Sequence, residues 1–247
     1  MLFQIFCGFS FLAPNTALVY NMHMSKIHVS PQAGNSLIKY AKECGHDVCF
    51  FTPLNNVSKS ISCHPDLLLC KLYPGGKVFH GDPDLLRPGY PEETIFNACS
   101  TGRYFIHNLN HTERSLLDAA RDSGLHMINV RQGYAKCSIV EVDESSIITY
   151  DDGIADACTK AGIDVLKVSP GNVVLPGYNT GFIGGASGKI GSSVVFNGDL
   201  SRHPDFLRIV DYIKSRGLDC VYFDDYPLTD IGSVIEEKSE GKIQGIF

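Results

Sequence analysis

A chain of 247 residues, 44% hydrophobic and only 19% charged, is long enough to bury a sizeable core and too apolar to stay disordered. Its 24 glycines fit strands and helices joined by many turns and argue against a coiled coil. A net charge of −6 with no run of Lys or Arg argues against nucleic acid as a partner, because phosphate binding needs a basic surface.

Residues 1–24 lack the basic start of a secretory signal, and Pro14 and Asn15 break the apolar run that a membrane span needs. The segment reads as an over-extended start or disordered leader, with a weak signal peptide as the second reading, because Met24-Ser25-Lys26 looks like an ordinary start. Residues 25–247 read as a single domain without a membrane segment. Nine cysteines, an odd number without CxxC spacing, indicate reduced thiols in a cytoplasmic protein; Cys44, Cys49, Cys70, Cys137, Cys158 and Cys220 have apolar neighbours in sequence.

In chain order, one pattern returns four times. A short strand (KIHVS, RYFIHN, SIITY, SSVVFN) is followed by an amphipathic helix, a glycine and a second strand. Gly45, Gly124, Gly162 and Gly217 fit the left-handed position that ends a helix. The strands after them are mostly apolar, as strands covered on both faces would be. The third and fourth copies carry an earlier strand, in CSIVEV and FIGGASGKI, so the unit is ββαβ. Residues 81–102, rich in Pro and Gly, read as an insertion between the first two copies. The N-terminal copy lacks its first strand, while DIGSVIEE and GKIQGIF supply two strands with no helix after them. A period of about 40–55 residues with half-units at both ends predicts a closed α/β ring.

Between these elements lie polar residues that could carry chemistry. SISCHPDLLLCKL sets Cys63, His64, Asp66 and Cys70 at the entry to an apolar strand over 66–72. Cys63 and His64 are neighbours and rarely chelate one ion together, so no metal and no cofactor is expected. His64 and Asp66 are ligand-binding candidates. The second His-Pro-Asp, 203–205, reads as structural, with Ser201 capping and Pro204 and Asp205 in the first helical turn. Cys137, beside Lys136 at a strand start, reads first as a buried small hydrophobe and second as a candidate thiol whose pKa a cation would lower. Asp151 and Asp199 stand at strand ends where helix capping competes with a ligand role, and Asp230 and Ser233 close the list of candidates. In GYNTGFIGGASGKIG no phosphate-binding register exists; Gly184 and Gly185 fit close backbone packing.

The strings SCHPDLLLC, GYAKCS, IITYDDGIA, LPGYNTGFIGGASG, FNGDLSRHPD and DIGSV resemble a bacterial family of unknown function placed with the pentein fold of the guanidino-group-modifying enzymes. The resemblance runs from Lys26 to Phe247 and implies a pentein-like α/β propeller of ββαβ units with pseudo-fivefold symmetry. In those hydrolases a Cys near the C-terminus attacks a guanidinium carbon, a His shuttles the proton and carboxylates grip the cation. Here LTDIGSV carries Ser233 where that Cys would stand, and GFIGGASG has no His. The expectation is therefore a small cationic ligand, guanidino or amine, held at the ring centre by Asp66, Asp151, Asp199 and Asp230. The alternatives are a guanidino-group hydrolase or amidinotransferase using Cys137 or another substitute nucleophile, and a non-catalytic docking protein like the ribosome anti-association factor that shares the fold.

Overall fold

The computed structural model describes residues 25–72 and 77–238. The described chain begins with strand β1 (Lys26–Val29), helix α1 (Asn35–Glu43) and strand β2 (Asp47–Phe50), followed by β3 (Leu69–Leu72) and β4 (Lys77–His80). Next come β5 (Cys99–Ser100), β6 (Tyr104–His107), α2 (Arg114–Asp122) and β7 (His126–Asn129). A one-turn helix α3 (Ala135–Ser138) leads into β8 (Ile139–Asp143), β9 (Ser146–Thr149), α4 (Asp152–Lys160) and β10 (Asp164–Lys167). The last set is β11 (Ser187–Ile190), β12 (Ser193–Phe196), α5 (Phe206–Ser215) and β13 (Asp219–Val221), with β14 (Ile235–Glu237) after it.

The four long helices form because their apolar residues recur on one face, and that face is what they bury: Leu37 and Ala41, Leu116 and Ala120, Ile154 and Cys158, Ile209 and Ile213. Each stops at its predicted glycine, at φ of 84°, 72°, 86° and 71° in turn, where a side chain would meet its own backbone. Each helix carries the chain from one strand to a parallel neighbour: β1 to β2, β6 to β7, β9 to β10, β12 to β13. An antiparallel strand precedes three of these pairs as β5, β8 and β11. For the N-terminal pair that strand is β14, which pairs antiparallel with β1 in the register Ile27 to Glu236. The C-terminal strand thus supplies what the first unit lacks in sequence.

The outcome is a mixed α/β architecture of small sheets, five among the described residues; the fifth is the antiparallel pair β3–β4. The strands that follow the glycines are the outer ones and are partly exposed. Their exposure falls mainly at the strand ends; the central apolar residues Met127 and Ile128, Val165 and Leu166, and Cys220 and Val221 pack in turn against different hydrophobic clusters. The first strands β3, β5, β8, β11 and β14 are deeply buried, as are the middle strands β6, β9 and β12. The first strands also carry the contacts between sheets: β14 lies against β3, β3 against β5, β5 against β8, β8 against β11, and β11 against β14.

Several local expectations change. Residues 66–72 do not form one strand, because Pro65–Leu67 makes a 3-10 turn before β3. Residues 81–102 are no mere insertion, since they contain β5. Within 182–190 only Ser187–Ile190 is extended. Ser201 does not cap α5; its N–H instead donates to Asp199, while Asp205 occupies the cap position and accepts from Ser169 N. Cys44 is exposed, and all cysteines among the described residues are free. The leader 1–24 and the strand expected in GKIQGIF lie outside the described residues. No described helix is long and apolar enough to cross a membrane.

Candidate functional site

Immediately before each first strand the chain places a buried polar or glycine segment. His64 and Asp66 precede β3, Asn97 precedes β5, Cys137 precedes β8, Gly184 and Gly185 precede β11, and Asp230 and Ser233 precede β14. Because the first strands pack against one another, these segments meet. Cys137 Sγ donates to Asp66 Oδ2 at 3.0 Å, and Ser233 Oγ donates to the same oxygen at 2.7 Å. Asn97 Nδ2 donates to Cys137 Sγ at 3.4 Å, while Asn97 Oδ1 accepts from the backbone N–H groups of Lys136 and Cys137. Asp230 accepts from Phe182 N (2.9 Å) and Gly232 N (3.0 Å), and its Oδ1 lies 3.8 Å from His64 Nδ1.

Local backbone explains this convergence. His64 stands before Pro65 and is held extended, with φ −83° and ψ 113°. Ser233 sits at φ 71°, a region that side chains other than glycine seldom adopt, and from it the hydroxyl reaches Asp66. A Cβ on Gly185 would lie 2.1 Å from Asp230 Oδ1, so only glycine lets the carboxylate in.

All six side chains are buried. Burial is the leading cause of every shift in their acidity: it pushes the Asp66 and Asp230 carboxyls up, Asp230 to about 6, and pushes the His64 imidazole down. The Cys137 thiol goes well up, by burial first and by the neighbouring Asp66 and Asp230 charges next. Cys137 is buried, and Lys136 is not among the leading causes that act on its thiol. The Lys136 Nζ is buried without a hydrogen-bond partner, and its charge acts on Asp230, whose carboxyl it holds down. His64 Nε2 and Asp66 Oδ1 are likewise buried and without hydrogen-bond partners.

The raised Asp230 pKa makes a prediction. A carboxyl at about 6 in the folded chain and 3.8 as its ordinary value binds more protons folded than unfolded between those limits. Its protonation therefore stabilises the fold fully below pH 3.8, and that stabilisation is lost as pH rises through about 6. Between pH 4 and pH 7 the wild type should lose roughly 2 kcal/mol relative to Asp230→Asn. Urea unfolding of both proteins at the two pH values measures the difference; a difference independent of pH contradicts it.

Other candidate residues lie elsewhere. Asp151 caps α4, accepting from Ile154 N at 2.8 Å, and lines an open cleft of about 690 Å³ with Tyr90, Asn129, Arg131 and Gln132. Asp199 caps the turn Leu200–Arg202 and pairs with Arg202. These two carboxylates do not join Asp66 and Asp230, because each is held by its own local backbone. Between cleft and cluster runs an aromatic row, Tyr90–Tyr134–Phe182–Tyr150, with ring centroids 5.8 to 6.0 Å apart. Phe182 N bonds Asp230, and Glu93 holds the Tyr134 hydroxyl.

Sequence reasoning missed Asn97, hidden in the supposed insertion, and the setting of Lys136. Lys136 shares a narrow cavity with Lys71 of β3, Ser100 of β5, Glu141 of β8, Lys189 of β11 and Ile235 of β14, so all five first strands contribute. The available signal for Asn97 was its place just ahead of a short apolar strand, the position that the other site residues share.

For metal binding the eligible ligand set is His64, Cys137 and Asp230, whose donor atoms all lie within 4.8 Å of one another. The local group Cys63, His64 and Cys70 is not gathered this way, since Cys70 points its thiol at Ala98 O.

Fold and site together define a mixed α/β protein with a buried thiol–carboxylate–imidazole cluster at the entry to the first strands of its small sheets. The chain belongs to a family of unknown function, DUF6873, whose model matches residues 75–235. That span contains Asn97, Cys137 and Asp230 and begins beyond His64 and Asp66. No curated protein and no solved structure matches the chain.

Proposed function

We propose that the chain is a pentein-like α/β propeller with pseudo-fivefold symmetry that binds a small cationic ligand, guanidino- or amine-bearing, against Asp66 and Asp230. The observation that carries this reading is the meeting of two buried carboxyls, Cys137 and His64 in one cluster that leaves Asp66 Oδ1 and His64 Nε2 without partners. Buried polar atoms are almost always satisfied, and an orphaned acceptor beside a second carboxyl calls for a donor cation. The propeller reading is supported by the return of first-strand contacts from β11 to β14 and β3, and by the narrow cavity that all five first strands share. A guanidinium reaches the cluster from the open cleft by parting the rings of Tyr134, Tyr150 and Phe182.

A second reading has its own observation. Cys137 Sγ, bonded to Asp66 and near His64, is placed as a nucleophile would be. A seated cation opposes the two carboxylates that raise the thiol, so binding itself lowers its pKa and frees a thiolate, its proton going to His64. Attack on the guanidinium carbon opens a C=N bond to a tetrahedral adduct, which expels ammonia or an amine as His64 returns the proton, leaving a thiouronium for water to hydrolyse.

The ligand reading is tested by melting curves with methylguanidinium, neutral methylurea and acetate. A bound ligand raises apparent stability by mass action. The melting temperature should rise with methylguanidinium alone. No rise, or a rise with acetate instead, removes the reading; a retained rise without turnover of guanidino compounds removes only the thiol chemistry.

A further inference from the structure

We propose that His64, Cys137 and Asp230 form a three-residue binding site for a divalent transition-metal ion of the zinc type, with Asp66 beside it against Cys137. The inference goes beyond the organic-cation reading, because it concerns coordination rather than ion pairing and has its own readout. Zinc bonds of about 2.0–2.3 Å in a tetrahedron set the ligand atoms roughly 3.3–3.8 Å apart. The structure places His64 Nδ1 and Asp230 Oδ1 at 3.8 Å and Cys137 Sγ and Asp66 Oδ2 at 3.0 Å. The three principal donors lie within 4.8 Å of one another, so they need only a small contraction to close on an ion.

The donor chemistry narrows the metal. A thiol sulfur, an imidazole nitrogen and carboxylate oxygens suit zinc or cobalt and do not suit magnesium or calcium, which take oxygen ligands. His64 Nε2 and Asp66 Oδ1 are also buried without a hydrogen-bond partner, so the second donor atom of neither residue is committed elsewhere. Ligands are also held from behind, as metal ligands are: Asp230 by Phe182 N and Gly232 N, Cys137 by Asn97 Nδ2, with Asp66 beside them held by Ser233 Oγ. One divalent ion with a thiolate and two carboxylates leaves a single negative charge. Lys136, whose Nζ is buried without a hydrogen-bond partner and whose charge acts on Asp230, balances it.

No local motif announces this site. The thiol and Asp66 are 71 residues apart, and Asp66 and Ser233 are 167 apart, so the cluster forms only through the packing of first strands. On loading, the Cys137 proton passes to solvent as the S–metal bond forms, along with any proton on Asp230. Affinity therefore rises with pH. Metal and organic cation would use the same side chains and exclude each other.

The test is titration of the full chain with Co²⁺ and with Zn²⁺. One equivalent should bind, with a thiolate-to-cobalt charge-transfer band. Cys137→Ser should abolish the band and weaken binding by about 100-fold or more, beyond the 10–100-fold that loss of an outer partner costs. Cys63→Ser, at a thiol outside the cluster, should leave both unchanged. Failure of the wild type to retain one equivalent, or a charge-transfer band that survives in Cys137→Ser or vanishes in Cys63→Ser, overturns the proposal. Should Cys137→Ser not fold, Zn²⁺ must raise the melting temperature of the wild type and not of His64→Gln; equal shifts overturn it. None of these outcomes depends on methylguanidinium binding, so the two readings fail separately.

Discussion

Asp230→Asn weakens methylguanidinium binding by about 100-fold or more. The substitution keeps the shape of the side chain and an acceptor for Gly232 N, and removes the charge. Taking one member from a buried, hydrogen-bonded charge pair costs about 2–5 kcal/mol, and about 2.7 kcal/mol is 100-fold in affinity. The companion Asp199→Asn touches a carboxylate that only caps the turn Leu200–Arg202 and pairs with Arg202, so its affinity should match the wild type. Calorimetric titration at pH 7.5 reads both. The wild type carries a second signature: with Asp230 titrating at about 6, affinity should fall by about tenfold per pH unit below that value, as the carboxylate that receives the cation takes up its proton. Equal loss in both variants, or affinity flat from pH 7.5 to pH 5, would show that the ligand does not meet Asp230.

Gly188→Ala costs about 3 kcal/mol, the upper end of what overpacking usually costs. Gly188 lies on β11, and its φ is not the reason. A Cβ there would stand 2.0 Å from the carbonyl oxygen of Val234 and 2.6 Å from its Cβ. Backbone cannot retreat as the tip of a long side chain does, so β11 and the segment entering β14 must separate. Val234 pairs with Gly188 in an isolated bridge, and its N–H donates to Ser187 O. Separation would also shift Ser233 and Asp230, one and four residues upstream, so the cost should appear with weakened probe binding. Gly191→Ala is the comparison: a Cβ there would meet nothing within 4 Å, but the φ of 57° makes a strained turn, and its cost should be near 1 kcal/mol with unchanged binding. Urea unfolding and probe titration on both variants check this; a neutral Gly188→Ala contradicts the close seating of β14.

Much of the scaffold is legible in the residues. The four amphipathic helices and their terminal glycines follow from periodicity and from the left-handed position that glycine tolerates. The pairing of the C-terminal strand with β1 follows from counting strands that lacked partners. Less legible was which strand of each unit lies deep. The outer strands β2, β7, β10 and β13 are apolar at their centres and exposed at their ends, and the sequence does not say where along each strand cover stops. The β3–β4 pair was missed as a unit because it carries no helix, although Pro74-Gly75-Gly76 between its strands is a turn signal.

At the site, the sequence pointed to His64, Asp66, Cys137, Asp230 and Ser233 because each is a polar residue beside an apolar strand. The same criterion admitted Asp151 and Asp199, which satisfy backbone N–H groups at a helix and a turn. Capping and ligand binding use the same residue types at strand ends, so only the position relative to the first strand separates them. Asn97 was lost to a composition argument: a stretch rich in Pro and Gly can still deliver one fixed side chain. For Cys137, a neighbouring Lys in sequence says little about field. In the fold, burial and two carboxylates act on the thiol, while the Lys136 ammonium reaches the cavity lined by the first strands.

The account stands or falls on where a cation sits. A crystal structure of the protein soaked with methylguanidinium tests this most directly. The account predicts density for the planar cation between Asp66 and Asp230, within hydrogen-bond distance of Asp66 Oδ1, with Tyr134, Tyr150 and Phe182 displaced. Density confined to the open cleft against Asp151, with the buried cluster unchanged, would contradict it.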